Sequence, residues 1–539
     1  MNHRALPRNV FCLTALLALL SAGLAAAAEP TPAANARPRG EVIFRENFNG
    51  TAPLQKWQGV NPQAMRLVSG QTNSTVWEVS LGTNGAAMMR RTLNLDGLRG
   101  AKIRCRAMVK ADHVAEPPNP WNGIKVMLHI ISPAGQRWEQ RNGVFGTFDW
   151  KPVEFTALIP KDATSAELVL GLENTSGRAW FDDIELVVAA AAHAPLVRIQ
   201  EGSPFKGHAL PRLRGAMIGQ QVDTNDLREF GREWGANHVR WQLIWNGFPH
   251  SPADKGDLPA YDRWLESELA RLDRLLPVCR EAGLLVLIDL HTPPGGRDEA
   301  SNCRIFQEPR FQKKFFEVWE KIARRYRDQP VVWGYDLVNE PCEGTIGEGC
   351  LDWQALATAT AKRVRAIDPE HAIVIEPAPW GGPEAIENLE PIPVPGVVYS
   401  VHFYLPHKFT HQGVYENPTG LVYPGIIDGQ RWDKDRLRRA WQPVMDFQRA
   451  TGTHIYIGEF SAIRWAPDGS AQRWLRDVID LMEEQEWDWA YHAFREWDGW
   501  SVEHGPDKND RKRSPTRTDR EQLLRDWFSK NVKPAGATK

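Results

Sequence analysis

Two glutamates follow short apolar stretches of the sequence, where a catalytic carboxylate could lie. Glu340 follows the run 333–338 and precedes Pro341, and Glu459 stands near the end of the run 454–461. Each run is typical of a buried parallel strand, apolar through the sheet and polar at its carboxyl end. Pro341 lacks an N–H group and therefore cannot extend the strand ladder. Either glutamate alone would more often be a solvated loop carboxylate.

The separation of the two glutamates predicts that they face one pocket. They are 119 residues apart, about three βα units of roughly 40 residues each. On an eightfold βα barrel, strands three units apart present their carboxyl ends across a central pocket. Two carboxylates placed there suit hydrolysis of a glycosidic bond. One protonates the leaving oxygen, and the other attacks the anomeric carbon or activates a water.

The residues around both glutamates resemble the motifs of the family 5 glycoside hydrolases, the cellulase family of the clan A (β/α)8 glycosidases. Asn-Glu-Pro at 339–341 is similar to that family's acid/base motif at the end of its fourth strand. Ile-Gly-Glu-Phe at 457–460 is similar to its nucleophile motif at the end of the seventh strand. The resemblance covers about residues 205–530. It implies a retaining enzyme that cleaves O-glycosidic bonds of β-linked polysaccharide and needs no cofactor or metal.

The family pattern places an Arg on strand two, a His on three, Asn-Glu on four, His and Tyr on six, Glu on seven and Trp on eight. The sequence matches this order with Arg240, His291, Asn339, Glu340, His402, Tyr404, Glu459 and either Trp497 or Trp500. Which of the two tryptophans floors the subsite stays open. His291 and His402 would orient the catalytic groups or the sugar. Each residue alone is more often structural, but their joint order at successive strand ends favours a glycosidase.

The resemblance assigns Glu340 as the acid/base and Glu459 as the nucleophile. We expect Glu459 to stay ionised, because Arg240 nearby would lower its pKa and Tyr404 could donate a hydrogen bond to it. Glu340 would carry the proton that the leaving oxygen takes. Asn339 is placed to bond the sugar 2-hydroxyl, a contact that strengthens in the transition state.

The 23 tryptophans of the chain suggest the substrate. Several fall in predicted strand-end loops: Trp245, Trp380, Trp497 and Trp500. Flat aromatic faces stack on the apolar faces of equatorial sugars, which favours β-1,4-glucan. A β-mannanase, a β-1,3-glucanase and an exo-acting β-glycosidase remain alternatives. A catalytically dead sugar-binding barrel is a further alternative, and the two intact glutamates argue against it.

From residue 213 the sequence alternates strand and helix patterns, which predicts a (β/α)8 TIM barrel in a catalytic domain at 200–535. The predicted strands are 213–220, 238–244, 284–290, 331–338, 372–376, 397–404, 454–460 and 487–494. The predicted helices are 225–234, 260–282, 308–326, 353–367, 433–451 and 471–484. The fold class is therefore α/β in this part of the chain.

Before the barrel, residues 41–190 predict an all-β jelly-roll sandwich, because short alternating runs are separated by Gly, Pro, Asn and Asp. The closing stretch 179–186 resembles the last strand of jelly-roll carbohydrate-binding modules. Tryptophans that could form a sugar platform, but are mostly expected in the core, are Trp57, Trp77, Trp121, Trp138, Trp150 and Trp180. Because no predicted catalytic residue lies here, we expect the barrel to hydrolyse short soluble substrates without the sandwich.

Residues 1–28 predict a secretory signal peptide, with Arg4 and Arg8 before an apolar core and small residues at the cleavage point. Residues 29–40, rich in Pro and Ala, predict a linker. We therefore expect a secreted or periplasmic protein, with no membrane span once the signal is removed. The formal net charge of −2 gives no electrostatic reason to bind nucleic acid. The expected partner is a polysaccharide or oligosaccharide, bound by a monomer.

Five cysteines follow the predicted signal peptide, and an odd number implies at least one free thiol or an intermolecular bond. We expect one disulfide among Cys303, Cys342 and Cys350, with the pairing left open. Cys279 lies in an apolar helical stretch and is expected to be a buried thiol. No Cys/His spacing resembles a zinc site.

Overall fold

The computed structural model describes residues 33–50, 54–70, 74–193, 203–245 and 256–535. The predicted signal peptide lies outside these residues. Among the described residues, no helix combines the length and the apolar character that crossing a bilayer requires. They form an N-terminal β-rich sandwich followed by a closed barrel of eight parallel strands, which confirms the predicted fold class.

The described part of the sandwich is one antiparallel network of nine strands. These are β1 (Val42–Glu46), β2 (Gln58–Val60), β3 (Met65–Ser69), β4 (Thr75–Thr92), β5 (Lys102–Val114), β6 (Gly123–Ser132), β7 (Gly135–Gln140), β8 (Gly146–Leu158) and β9 (Ser165–Ala190). β4 and β9 are long and pair with each other. The first part of β9 also pairs with β6, and its later part pairs with β5. The two long strands therefore pass through both layers of the sandwich.

The barrel closes in the order in which its strands follow along the chain. Its strands are β10 (Arg214–Ile218), β11 (His238–Gln242), β12 (Leu285–Asp289), β13 (Val332–Asp336), β14 (Ala372–Ile375), β15 (Val397–Phe403), β18 (Ile455–Phe460) and β19 (Asp488–Phe494). A small hairpin, β16 (Gly425–Ile427) and β17 (Gln430–Trp432), follows β15. All eight predicted barrel strands are present, because both faces of such strands are buried and leave continuous apolar runs in the sequence.

The fourth strand is shorter than predicted. β13 ends at Asp336, so Glu340 lies in the loop beyond the strand and not directly at its end. The backbone N–H of Glu340 donates to the Glu376 carboxylate at 2.8 Å. Because this N–H group is hydrogen-bonded to a side chain, it cannot pair with a neighbouring strand and does not extend the sheet.

Helices surround the barrel. They are α1 (Thr224–Arg228), α2 (Leu258–Ala282), α3 (Pro309–Tyr326), α4 (Trp353–Ile367), α5 (His407–Thr410), α6 (Lys434–Ala440), α7 (Gln442–Thr451), α8 (Ser470–Glu484) and α9 (Asp519–Phe528). The helix predicted at 433–451 is two helices, because Pro443 lies in the first turn of α7 and lacks the N–H that a continuous helix would need.

The sandwich docks on the loops that follow β13 and β14. Lys102 of β5 lies 2.7 Å from Glu343 and 3.0 Å from Asp352. Thr156 of β8 accepts a hydrogen bond from the backbone N–H of Ile346 at 3.0 Å. In the predicted linker, Arg39 donates to the carbonyl of Cys350. The described part of that linker is therefore packed against both domains and is not a free tether.

All five cysteines of the described residues are separate buried thiols. The predicted disulfide among Cys303, Cys342 and Cys350 is therefore wrong. The backbone N–H of Cys303 donates to the Cys342 carbonyl at 2.8 Å, while the Cys342 thiol donates to Asn302 at 3.4 Å. Cys279 is a buried thiol on α2, as predicted.

Candidate active site

Arg240 lies at the centre of the barrel mouth and is fully buried. In β11 alternate residues point inward, and this position directs the guanidinium into the barrel. Its nitrogens lie 2.7 Å from Glu459, 2.9 Å from Glu376, 3.0 Å from Asp336, 3.1 Å from the Asn339 amide oxygen and 3.2 Å from Asp289. One cation therefore organises five groups from the carboxyl ends of four strands, β12, β13, β14 and β18, and the loop after β13.

The close packing of these charged groups affects the pKa of Asp336 and the pKa of Arg240 differently. Burial raises the pKa of Asp336 well above its usual range, more than the nearby Arg240 cation lowers it. Burial also acts to lower the pKa of Arg240, but the surrounding carboxylates raise it well above its ordinary value. Arg240 is therefore a permanent cation, while burial among the other carboxylates favours the neutral form of Asp336.

Glu459 at the end of β18 is a buried carboxylate that faces Arg240 and two histidines. Burial acts to raise its pKa, but His402, His492 and Arg240 together lower it well below its usual range. Its second oxygen accepts a hydrogen bond from the Tyr404 hydroxyl at 2.8 Å and lies 3.1 Å from His492 Nδ1. Both contacts expected from the sequence, Arg240 and Tyr404, are present, and Glu459 is ionised.

Glu340 is the more open of the two glutamates, with 24% of its side chain exposed against 4% for Glu459. Its backbone has a φ of +46°, in the left-handed region that side-chain-bearing residues rarely adopt. Three contacts hold this conformation: the Glu376 carboxylate on its N–H, and Arg297 on its carbonyl and on that of Asn339. The loop is thus fixed from both sides.

His402 of β15 joins the two glutamates. Its Nδ1 lies 2.9 Å from Glu340 and 3.6 Å from Glu459, and its Nε2 lies 3.1 Å from Glu376. Burial acts to lower the pKa of His402, but these carboxylates raise it well above its ordinary value. The ring is therefore an imidazolium between carboxylates.

In the part of the chain that the structure describes, two groups of side chains have the spacing of metal ligands. One ligand atom each of Glu340, His402 and Glu459 lies within 4.8 Å of the others. Within this group His402 Nδ1 and the Glu340 carboxylate are 2.9 Å apart and share a hydrogen bond. The second group, His208, His454 and Asp488, lies at the opposite end of the barrel. There Asp488 faces the two histidines at 2.8 and 2.6 Å.

The remaining predicted residues surround this centre. His291 Nδ1 lies 2.9 Å from Asp289, one of the carboxylates on Arg240. Arg240 donates to the Asn339 oxygen, which leaves the Asn339 Nδ2 as a donor on the other side of the amide.

The tryptophans divide into exposed and buried ones. Trp380 and Trp497 are 40% and 38% exposed, whereas Trp500 is 8% exposed. Trp500 packs against Tyr404 at 5.9 Å, and its ring meets Trp497 edge to face at 5.4 Å. Trp245, interpreted from the sequence as a sugar-facing residue, is buried and stacked on Trp264. The exposed rings beside the cluster are thus Trp380 and Trp497.

Several site residues were not predicted. They are Asp289, Asp336, Glu376, His492 and Glu496. Asp289, Asp336 and His492 interrupt apolar strand runs, and a polar residue inside such a run is a sequence pattern that could have identified them as site residues. Glu376 directly follows β14 and Glu496 lies two residues after β19, but neither lies in one of the two motifs.

The barrel matches a known family. Residues 199–498 match the family described as cellulase (glycosyl hydrolase family 5). This range contains both glutamates and excludes the sandwich.

The chain is similar to two curated enzymes. Endoglucanase C of Acetivibrio thermocellus is 27% identical over 278 residues, which cover 47% of this chain and 78% of that protein. Cellodextrinase A of Ruminococcus flavefaciens is 27% identical over 270 residues, which cover 48% and 74%. The structure of endoglucanase Cel5A from Thermotoga maritima is 26% identical, with a TM-score of 0.45, and covers 58% of this chain and 96% of that one.

Proposed function

The chain belongs to glycosyl hydrolase family 5, the cellulase family, and on that premise we propose that it hydrolyses β-1,4-glucan with retention of configuration. It is a glycoside hydrolase by family. The names of the similar endoglucanase and cellodextrinase support a β-1,4-glucan as substrate. The observation that carries the proposal is the close approach of Glu340 and Glu459 around His402.

The spacing of the two carboxylates supports the retaining route. Oxygens of Glu340 and Glu459 lie within 4.8 Å of each other. Retaining enzymes hold their carboxyl groups about 5–5.5 Å apart, whereas inverting enzymes leave about 6.5–9.5 Å for a water between them. The shorter distance leaves room for an anomeric carbon to be attacked directly.

Glu459 is the nucleophile in this proposal. Its lowered pKa keeps it ionised, and Arg240 and Tyr404 hold one oxygen each in position. Attack on the anomeric carbon forms a glycosyl ester and removes the negative charge of Glu459. Tyr404 and His492 then face a neutral ester oxygen, so part of their interaction energy is lost in the intermediate and returns when the ester is hydrolysed.

Glu340 is the acid/base. Its larger exposure places it beside the departing sugar, where it donates a proton to the glycosidic oxygen. After the leaving group has gone, the same carboxylate removes a proton from the incoming water. His402 contacts both glutamates, so its positive charge stabilises whichever of them is ionised at each step.

Three further residues are proposed to hold the sugar. The Asn339 Nδ2 is a donor for the 2-hydroxyl, since Arg240 fixes the amide through its oxygen. Trp497 offers its exposed ring to a sugar face, while the buried Trp500 supports Tyr404 from behind. Trp380 carries the Arg297 guanidinium 5.3 Å from its ring centre and lies on the acid/base side.

The test is a hydrolysis screen on purified β-1,4-glucan, β-1,3-glucan, β-mannan and aryl β-glycosides, with products resolved by chain length. The Glu459→Gln variant is the control for contaminating activity. We expect fastest hydrolysis of β-1,4-glucan, lost in the variant. Preferred cleavage of β-mannan or β-1,3-glucan would overturn the proposed substrate.

A further inference from the structure

A groove crosses the outer face of the sandwich layer that contains β6, β7 and parts of β4 and β9. It encloses about 820 Å³. Two tryptophans on its wall, Trp121 and Trp138, are 55% and 57% exposed, whereas Trp57 and Trp77 are buried in the sandwich. Large apolar side chains that share one exposed concave surface indicate a binding site.

The floor of the groove is buried although it lies on the outer face of the sheet. On β6, Val126 and Leu128 belong to the sandwich core, and the alternate residues Lys125 and Met127 line the groove. Lys125 and Met127 are nevertheless only 2% and 7% exposed. The neighbouring side chains and the loop that carries Trp121 cover these outward residues, which therefore form the floor of the groove.

A polar network holds Trp121 in place. Lys125 Nζ lies 2.7 Å from the Glu173 carboxylate and donates to the Trp121 carbonyl. The Gln140 amide donates to the same carbonyl at 2.8 Å, and Asn122 donates to Glu173 at 2.7 Å. The loop that carries Trp121 is therefore ordered before any ligand arrives, which lowers the entropy cost of binding.

Trp138 is also held in one orientation. Its ring stacks on His129 of β6, with 5.3 Å between ring centres and 8° between planes. One face of the indole is thereby covered. The exposed half of the side chain presents a flat apolar surface to the groove.

The chemistry of the groove fits an uncharged sugar chain. The charges of Lys125 and Glu173 cancel, Arg90 of the groove lies 3.9 Å from Glu167, and the other polar groups include the amides of Asn122, Gln140 and Asn142. Amides bind hydroxyl groups, and indole rings cover the apolar faces of pyranose rings. A β-linked glucan presents these two surfaces together.

The groove continues towards the barrel. A second cavity of about 740 Å³ shares Gln140 and Asn142 with it and is also lined by Thr156 of the sandwich. Its other wall consists of two barrel loops, with Asp298 on the loop after β12 and Thr345 on the loop after β13. These are the loops that carry Arg297 and Glu340.

We propose that the groove binds a second stretch of the same glucan chain that the barrel cleaves, so that one chain runs from the two sandwich tryptophans across the domain junction to the catalytic centre. The identity of the sugar rests on the proposed function. The continuity rests on the shared walls of the two cavities and on the docking of the sandwich against the Glu340 loop.

The test compares the full-length enzyme with Trp121→Ala, Trp138→Ala and the double variant, using cello-oligosaccharides of increasing length and hydroxyethylcellulose. Trp150→Ala, on β8 and outside the groove, is the matched control. We expect an unchanged kcat/KM on an aryl cellobioside. On chains long enough to span both sites we expect a KM raised about tenfold per tryptophan, with kcat unchanged.

A groove that only tethers the enzyme would leave kcat/KM on every soluble chain unaltered and reduce retention on insoluble cellulose alone, and that result overturns the proposal. Failure of the proposed function has a different signature, because the wild-type enzyme would then not hydrolyse β-1,4-glucan at all. In that case, affinity electrophoresis in hydroxyethylcellulose tests glucan binding by the groove independently of hydrolysis. Retardation lost in the double variant supports the groove, and no retardation of the wild type overturns it.

Discussion

Replacing Lys102 is the substitution that best tests how the sandwich supports catalysis. Its ammonium group lies between Glu343 and Asp352 of the barrel, with 17%, 14% and 2% of the three side chains exposed. Burial acts to lower the pKa of Lys102, but these two carboxylates raise it well above its usual value. The Lys102→Met variant removes the cation and leaves both carboxylates at the domain junction.

The expected cost follows from the partners that are left behind. Removing one member of a buried ion pair costs about 3–5 kcal/mol, because the remaining charge is uncompensated. Asp352 also caps α4 through the Ala355 N–H, and Glu343 accepts from the Trp353 N–H at 2.5 Å. Both groups belong to the loop between β13 and α4, which also carries Glu340. We therefore expect about 3 kcal/mol of lost stability and about a tenfold lower kcat, with little change in KM.

The assays are urea unfolding and steady-state kinetics on an aryl cellobioside. Arg45→Met is the control, since the Arg45–Glu185 pair lies within the sandwich and Arg45 is 66% exposed; we expect less than about 1 kcal/mol. The combination Lys102→Met, Glu343→Gln and Asp352→Asn should recover most of the stability because no charge stays unpaired. If Lys102→Met matched the Arg45 control in stability and kcat, the reasoning would be refuted.

Three further outcomes are expected. Glu340→Gln should lose activity severely on β-glucan and much less on aryl glycosides with good leaving groups; equal losses on both would argue against Glu340 as the acid. Tyr404→Phe removes a charge-assisted hydrogen bond worth about 1.5–3 kcal/mol, so kcat/KM should fall about 10- to 100-fold. The acidic limb of the pH profile of kcat/KM should move to higher pH, because the pKa of Glu459 rises; an unmoved limb would contradict the contact. Burial acts to lower the pKa of His492, but Glu459 and Glu496 raise it to about 10. The contribution of His492 to the free energy of unfolding is therefore complete below about pH 6.5 and is lost as the pH rises through 10. In urea unfolding, His492→Gln should flatten this loss of stability at high pH.

The barrel could be predicted from the sequence because each of its strands and helices leaves a pattern within a short stretch of the chain. Each buried parallel strand leaves an apolar run, and each surrounding helix leaves an amphipathic stretch. The barrel geometry then brings Arg240, His402 and Glu459 together without further information. Their contacts at 2.7 and 3.6 Å join residues that are far apart in the chain.

The parts that could not be predicted depend on packing across the molecule. Glu376 resembles an ordinary loop carboxylate in sequence, and its function appears only when Arg240, 136 residues away, lies 2.9 Å from it. Trp245 is buried because Trp264 covers it. The ion pairs of Lys102 join two domains whose separation the sequence suggested. They give a reason to expect that a barrel cut free of the sandwich would be less stable and less active.

The roles of Glu459 and Glu340 are tested most directly by the anomeric configuration of the glycosyl azides that their alanine variants form from an activated β-glycoside. In Glu459→Ala, azide occupies the vacated space and attacks the anomeric carbon once, which inverts it. In Glu340→Ala the covalent intermediate still forms, and azide replaces the water in the second displacement. Proton NMR should therefore show an α-glycosyl azide from Glu459→Ala and a β-glycosyl azide from Glu340→Ala. The same anomer from both variants, or the reverse assignment, would contradict the mechanism.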